Sequence, residues 1–122
     1  MALSVSTQVN PIATRLILQT SATATPDNNV CGAACTIFTV DADNTNNVAA
    51  SYVKLYNATA PVVGSTRPDI IFYVPAGERR QMVVPEGVLF ATGLSFCCAT
   101  VGGTEGTVSP TSAVIVRILA SI

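Results

Sequence analysis

The sequence predicts an all-β fold: a single antiparallel β-sandwich or jelly-roll-like domain of about eight strands. Three observations predict it. Short runs alternate apolar with polar residues, Pro, Gly, Asn and Asp cluster between most of the runs, and no segment carries a helical period with caps.

The elements follow in order. Ile12 to Thr20 alternates, with Ile12, Leu16 and Leu18 on one face and Arg15 and Gln19 on the other. "TATPDNNVCGAAC" then has the residues of a turn or loop. Cys35 to Val40 is a short strand with Phe38 and Val40 expected on one face, ended by the polar turn "DADNTNN". Val48 to Tyr56 sets Val53 and Leu55 against Tyr52, Lys54 and Tyr56. "NATAPVVGSTRP" is a connection, because Pro61, Gly64 and Pro68 each disfavour a central strand. Ile70 to Val74 is stopped by "PAGE" and Arg79 to Val84 by "PEG", and the two are expected to form a hairpin across Pro75-Ala76-Gly77. "GVLFATG" and "LSFCCATV" supply two more strands. The loop "GGTEGTVSPTS" leads to the last, Ala113 to Ala120, with Val114, Val116 and Ile118 opposite Arg117. Residues 1–11 read as an N-terminal arm and residues 12–122 as one domain.

Composition limits the function. The chain has 122 residues, 49% apolar and 11% charged, where about 25% charged is usual. Its polar surface rests on Ser, Asn and fifteen Thr, which suits a protein packed against neighbours. The net charge is −1 and Arg79-Arg80 is the densest basic site, a poor basis for binding nucleic acid. No window reaches the roughly 20 apolar residues of a membrane span. The opening "MALSVSTQVNPIATR" lacks the basic start and apolar core of a secretory signal, so a cytosolic chain is expected.

Chemistry-bearing patterns are sparse. There is no His, so Ser-His-Asp and Cys-His arrangements are excluded. The seven carboxylates lie almost entirely in predicted turns, where local hydrogen bonding is the ordinary role. No enzymatic activity and no cofactor are expected. Cys31, Cys35, Cys97 and Cys98 read first as small core hydrophobes. One disulfide (Cys31 to Cys35, or either to the Cys97/Cys98 pair) comes second and metal ligation last, since adjacent Cys97 and Cys98 point to opposite faces. "DADNTNN" offers oxygens at Asp41, Asp43 and Thr45, but no glycine at the sixth position and Tyr52 where a bidentate Glu belongs. An Asx-type turn is the better reading than a calcium loop. Tyr52 and Tyr56, on one strand face, fit a core cap or a protein interface better than a stacking platform.

One stretch carries a resemblance. "YVKLYNATAPVVGSTRPDIIFYVPAGERRQMVVPEGVLFATGLSFCCAT" resembles small virion proteins of tailed bacteriophages. The pattern is a Tyr-x-Lys-Leu-Tyr strand (Tyr52, Lys54, Leu55, Tyr56), then Ala-x-Ala-Pro-x-Val-Gly (Ala58, Ala60, Pro61, Val63, Gly64) and Pro68. Pro75-Ala76-Gly77, Gly87, Phe90 and Thr92-Gly93-Leu94 follow. Cys97, Cys98 and Arg79-Arg80 depart from it, and the N-terminal fifty residues lie outside it.

The resemblance implies a non-enzymatic structural protein on the virion, made in the host cytoplasm. The implied role is capsid decoration (cement): binding the major capsid protein lattice at the head surface and stabilising the head. A tail, fibre or baseplate component that binds a host surface is the alternative. Self-assembly, as a homotrimer, is expected from the tendency of such domains to close their edges symmetrically. Candidate interface residues are Leu3 and Val5, as an added strand on a neighbour's sheet edge, with Tyr52, Tyr56, Arg67, Arg79 and Arg80.

Overall fold

The structure is a computed structural model that describes residues 13–122. Seven strands follow in order: β1 (Arg15–Ala22), β2 (Cys35–Asp43), β3 (Ser51–Asn57), β4 (Ile70–Val74), β5 (Arg79–Phe90), β6 (Leu94–Ala99) and β7 (Val114–Ser121). Every strand pair is antiparallel, and no helix occurs among the described residues. A four-stranded sheet in the order β1-β7-β2-β5 faces a three-stranded sheet in the order β4-β3-β6. The β-sandwich predicted from the sequence is the fold observed, with seven strands among the described residues where about eight are expected.

Alternation builds the core between the sheets. Val114, Val116, Ile118 and Ala120 project inward from β7, Ile37, Val40 and Ala42 from β2, and Val53 and Leu55 from β3. Leu94, Phe96 and Cys98 complete it from β6. Burying such side chains is the main driving force for closing the sandwich, at about 25 cal/mol per Å² of apolar surface. The β2–β3 turn is held by buried Asn44, whose Nδ2 donates to the Ala49 and Pro75 carbonyls while its Oδ1 accepts from Asn47 Nδ2 and Ser51 Oγ. Before it, Asp43 Oδ1 accepts from the Thr45 amide at 3.0 Å and hydroxyl at 2.6 Å, the Asx-type turn expected.

Three sequence expectations are corrected. The strands on either side of Pro75-Ala76-Gly77 form no hairpin: β4 pairs with β3 and β5 with β2, so the turn carries the chain from one sheet to the other. "PEG" does not end a strand. Between Ile37↔Val88 and Thr39↔Val83 the β5 partner advances five residues for two on β2, so Val84–Gly87 bulge out of a continuous β5. Gly87, at φ +80°, is required there, because a Cβ would run into Thr36 and the Phe38 ring. The same irregularity makes Phe38 an extra residue on β2. Phe38 and Val40 therefore do not share a face: Val40 is in the core and Phe38 turns outward.

Candidate interaction surface

The outer faces of the two sheets differ. On the three-stranded sheet, Lys54 and Tyr56 of β3 and Ser95, Cys97 and Ala99 of β6 point away from the core, yet all are buried. Ser95, Cys97 and Ala99 are small, which lets the loops 58–68 and 101–109 lie close over them. Lys54 Nζ donates to the Gly106 carbonyl at 2.9 Å, Ser95 Oγ donates to the Ala58 carbonyl at 2.6 Å, and Gly102 lies against the Tyr52 ring. Gly106 is pinched so tightly that a Cβ would collide with the Val101 carbonyl. The two loops also touch one another at Gly64 and Thr107.

Burial controls the titratable groups beneath this cover. It pulls the Lys54 ammonium below its ordinary value, and it pushes the Tyr56 phenol up, helped by Cys97. Burial likewise raises the Cys97 thiol, and on the core side it lifts Cys98 and Cys35 to about 12. All four cysteines are free thiols, with Cys97 and Cys98 on opposite sides of β6 as alternation requires. Thiols held protonated by burial are poor nucleophiles and poor metal ligands. Among the described residues, no three His, Cys, Asp or Glu side chains converge as a metal site.

The four-stranded sheet presents a bare outer face. Leu16 (62% exposed) and Leu18 (51%) stand on β1, Leu119 on β7, and Val83 (58%) and Leu89 (63%) on β5. Between them lies an apolar cleft of about 240 Å³ lined by Phe38, Thr39, Val83, Val84, Pro85 and Leu119. The bulges that turn Phe38 out and loop Val84–Gly87 away from β2 form its walls. A charged row crosses one end of the face, where Arg79 holds Asp41 with Nε to Oδ1 at 2.9 Å and Nη2 to Oδ2 at 2.8 Å. Asp41 in turn holds the Arg79 guanidinium above its ordinary value. Arg117, opposite Asp41 in register, has its buried Nη1 without a hydrogen-bond partner.

The sequence-predicted residues do not gather on this surface. Tyr56 is fully buried under the loops, and its hydroxyl meets Cys97 Sγ at 3.8 Å, so it cannot face a partner. Tyr52 is half-buried and packs on the exposed Tyr73 of β4, with ring centroids 5.3 Å apart. Arg67 is exposed in the loop before β4. Arg79 borders the bare face, and Arg80, of opposite parity on β5, pairs with Glu78 at 2.8 Å. Leu3 and Val5 lie outside the described residues.

The residues that sequence reasoning missed are Leu16, Leu18, Phe38, Val83, Leu89 and Leu119. For all but Phe38 a signal existed: "LIL", "MVV", "VLF" and "RILA" place apolar residues at both parities of β1, β5 and β7, so each of these strands has apolar side chains on both faces. The chain matches no protein-family model, no curated protein and no solved structure.

Proposed function

We propose that this protein is a non-enzymatic structural component of a tailed-phage virion, a decoration protein that seats on the major capsid protein lattice and stabilises the head. The observation that carries the reading is the bare apolar face of the four-stranded sheet, with Val83, Leu89 and Leu119 around the Phe38–Pro85 cleft. Contiguous exposed apolar surface on a small domain marks a contact site, and a cleft among rigid strands suits a projecting side chain of a repeating shell. Many weak contacts on one lattice give tight retention. The resemblance over residues 50–100 supports the virion assignment. Its Tyr-x-Lys-Leu-Tyr segment is β3, which supplies Val53 and Leu55 to the core and Lys54 and Tyr56 to the covered face.

Cryo-electron microscopy of the particle that encodes this chain, with symmetry applied to the head, tests the proposal. Density is expected at regular lattice positions, with the β5 side of the bare face against the shell; an undecorated head overturns it. A tail, fibre or baseplate component is the second reading. Tyr73, 51% exposed and packed at a tilt against Tyr52, favours it, because paired aromatic rings can hold a sugar face. Density on the tail would select that reading.

A further inference from the structure

A sandwich of two open sheets has four edges, and three of these are blocked. The β6 edge is paired by the chain itself: Asp27 and Phe96 exchange backbone hydrogen bonds at 2.9 and 3.1 Å, Val30 donates to Leu94, and Cys98 donates to Thr23. The β5 edge is interrupted by its bulge and Pro85 and carries Arg79, Arg80 and Glu86. The β4 edge is five residues long and bounded by Pro68 and Pro75. Bulges, prolines, charges and short length are the devices by which proteins stop strand-to-strand association.

The β1 edge has none of these over its first turns. From Arg15 to Gln19 it runs in regular register with β7, and no described strand pairs its other side. Its irregularity begins only after Gln19, where the Gln19 side chain accepts from the Ser21 amide. It contains no proline, its one charge is Arg15, and Leu16 and Leu18 stand exposed along it.

We propose that β1 is a self-association edge: two copies pair β1 with β1, antiparallel about a two-fold axis at Ile17, and join their four-stranded sheets into one. The self-complementarity of the strand selects a second copy as the occupant. In this register Leu16 meets the other copy's Leu18 and Leu18 meets its Leu16, so both exposed leucines gain an apolar cross-strand partner. Thr14 falls opposite Thr20, and Arg15 falls opposite Gln19, so no like charges meet. A shift by one residue in either direction would break the leucine pairing. The axis is isologous, hence closed at two copies, and the paired sheets present one continuous outer face. This inference does not rest on the virion reading, since it uses only the edge and its side chains, and it sets a closed dimer in place of the homotrimer expected from the sequence.

Sedimentation velocity of the full chain at micromolar loading tests it. The wild type is expected to sediment as a two-chain species, and L18K, which places an ammonium against Leu16, should raise the dissociation constant about a hundredfold. L89K, on the same face but at the opposite edge of the sheet, should leave the dimer intact. A register test stands beside this and needs no charged variant. Oxidising an equimolar mixture of L16C and L18C should join position 16 of one copy to position 18 of the other, located by peptide mass spectrometry, while either variant alone should give no such link. A wild type that is monomeric or trimeric, a dimer indifferent to L18K, or equal cross-linking by the single variants would each overturn the proposal.

Discussion

On the three-stranded sheet the outward side chains of Lys54, Tyr56, Ser95, Cys97 and Ala99 are buried beneath the chain's own loops, whereas on the four-stranded sheet Leu16, Leu18, Val83 and Leu89 meet water. Both faces carry apolar residues, so hydrophobicity alone does not decide which is covered. The difference lies in the connections. The 58–68 loop and the 101–109 loop fold back over β3 and β6, drawn in by the Lys54 and Ser95 hydrogen bonds. No comparable hydrogen bond ties a described segment across the middle of the large sheet. One outer face therefore belongs to the stability of the fold, and the other is left exposed by the described residues.

The largest effect that separates them is removal of an outward ring from the covered side. Tyr56→Ala should cost about 3–5 kcal/mol, the range for emptying a buried aromatic site, whereas Leu89→Ala on the bare side should stay within about 0.5 kcal/mol. Urea unfolding measures both. Equal losses would mean that the loops do not seal the small sheet, and the comparison would break.

Lys54 gives a smaller and more specific test. Its stem is packed and its ammonium has Gly106 as hydrogen-bond partner, so Lys54→Ala should cost about 2–3 kcal/mol through lost packing and an unpaired carbonyl. Lys54→Met keeps the stem and removes the buried charge, and should lose less than half as much at neutral pH. The sign with pH follows from the lowered pKa of Lys54. The folded protein binds the proton less tightly than the unfolded chain, so the wild type gains stability as pH rises toward the ordinary lysine value of 10.5. Lys54→Met lacks that gain, and the wild type should improve relative to it over this window. A gap independent of pH would show that the ammonium is solvated.

The core-side thiols act in the opposite direction. Cys98 and Cys35 are raised from 9.0 to about 12, so the folded state holds their protons longer than the unfolded chain does. Their contribution is complete below pH 9 and is lost as pH rises toward 12. Each thiol should add a slope of about 1.4 kcal/mol per pH unit within that window. Cys98→Ala should remove one such slope from a series of alkaline unfolding curves; an unchanged slope would place Cys98 in contact with water.

Much of the fold was legible because alternation is a local signal. Val53 and Leu55 against Lys54 and Tyr56, and Val114, Val116 and Ile118 against Arg117, needed only the period of a strand. The misreadings arose where a distant partner sets the outcome. Pro85-Glu86-Gly87 has the composition of a turn, but β2 pairs on both sides of it and turns it into a bulge. Pro75-Ala76-Gly77 suits a hairpin, but β3 and β2 compete for the strands it joins. The candidate surface was less legible than the core. Tyr56 has the chemistry of an interface residue, but it is fully buried with its hydroxyl against Cys97, 41 residues away on β6. Phe38 lines the cleft only because a bulge reverses its direction, which no local pattern encodes.

The smallest effect on stability should accompany the largest effect on attachment. Val83 projects from the cleft wall into water, so Val83→Lys should change unfolding stability by no more than about 0.5 kcal/mol. On the proposed capsid-decoration role, binding of the variant to undecorated shells should nevertheless fail, since a charge would be driven into an apolar contact. Salt distinguishes this contact from an arginine-led one. Arg79 is already committed to Asp41 and Arg80 to Glu78, which leaves Arg15 and Arg67 as the exposed arginines with no ion pair among the described residues. Exposed ion pairs contribute little singly and are screened by salt, whereas apolar burial is not. Attachment should therefore persist as salt is raised. Loss of attachment in salt together with normal binding by Val83→Lys would move the contact away from the cleft and onto the charged end of β5, where the bare face would no longer distinguish the two sheets.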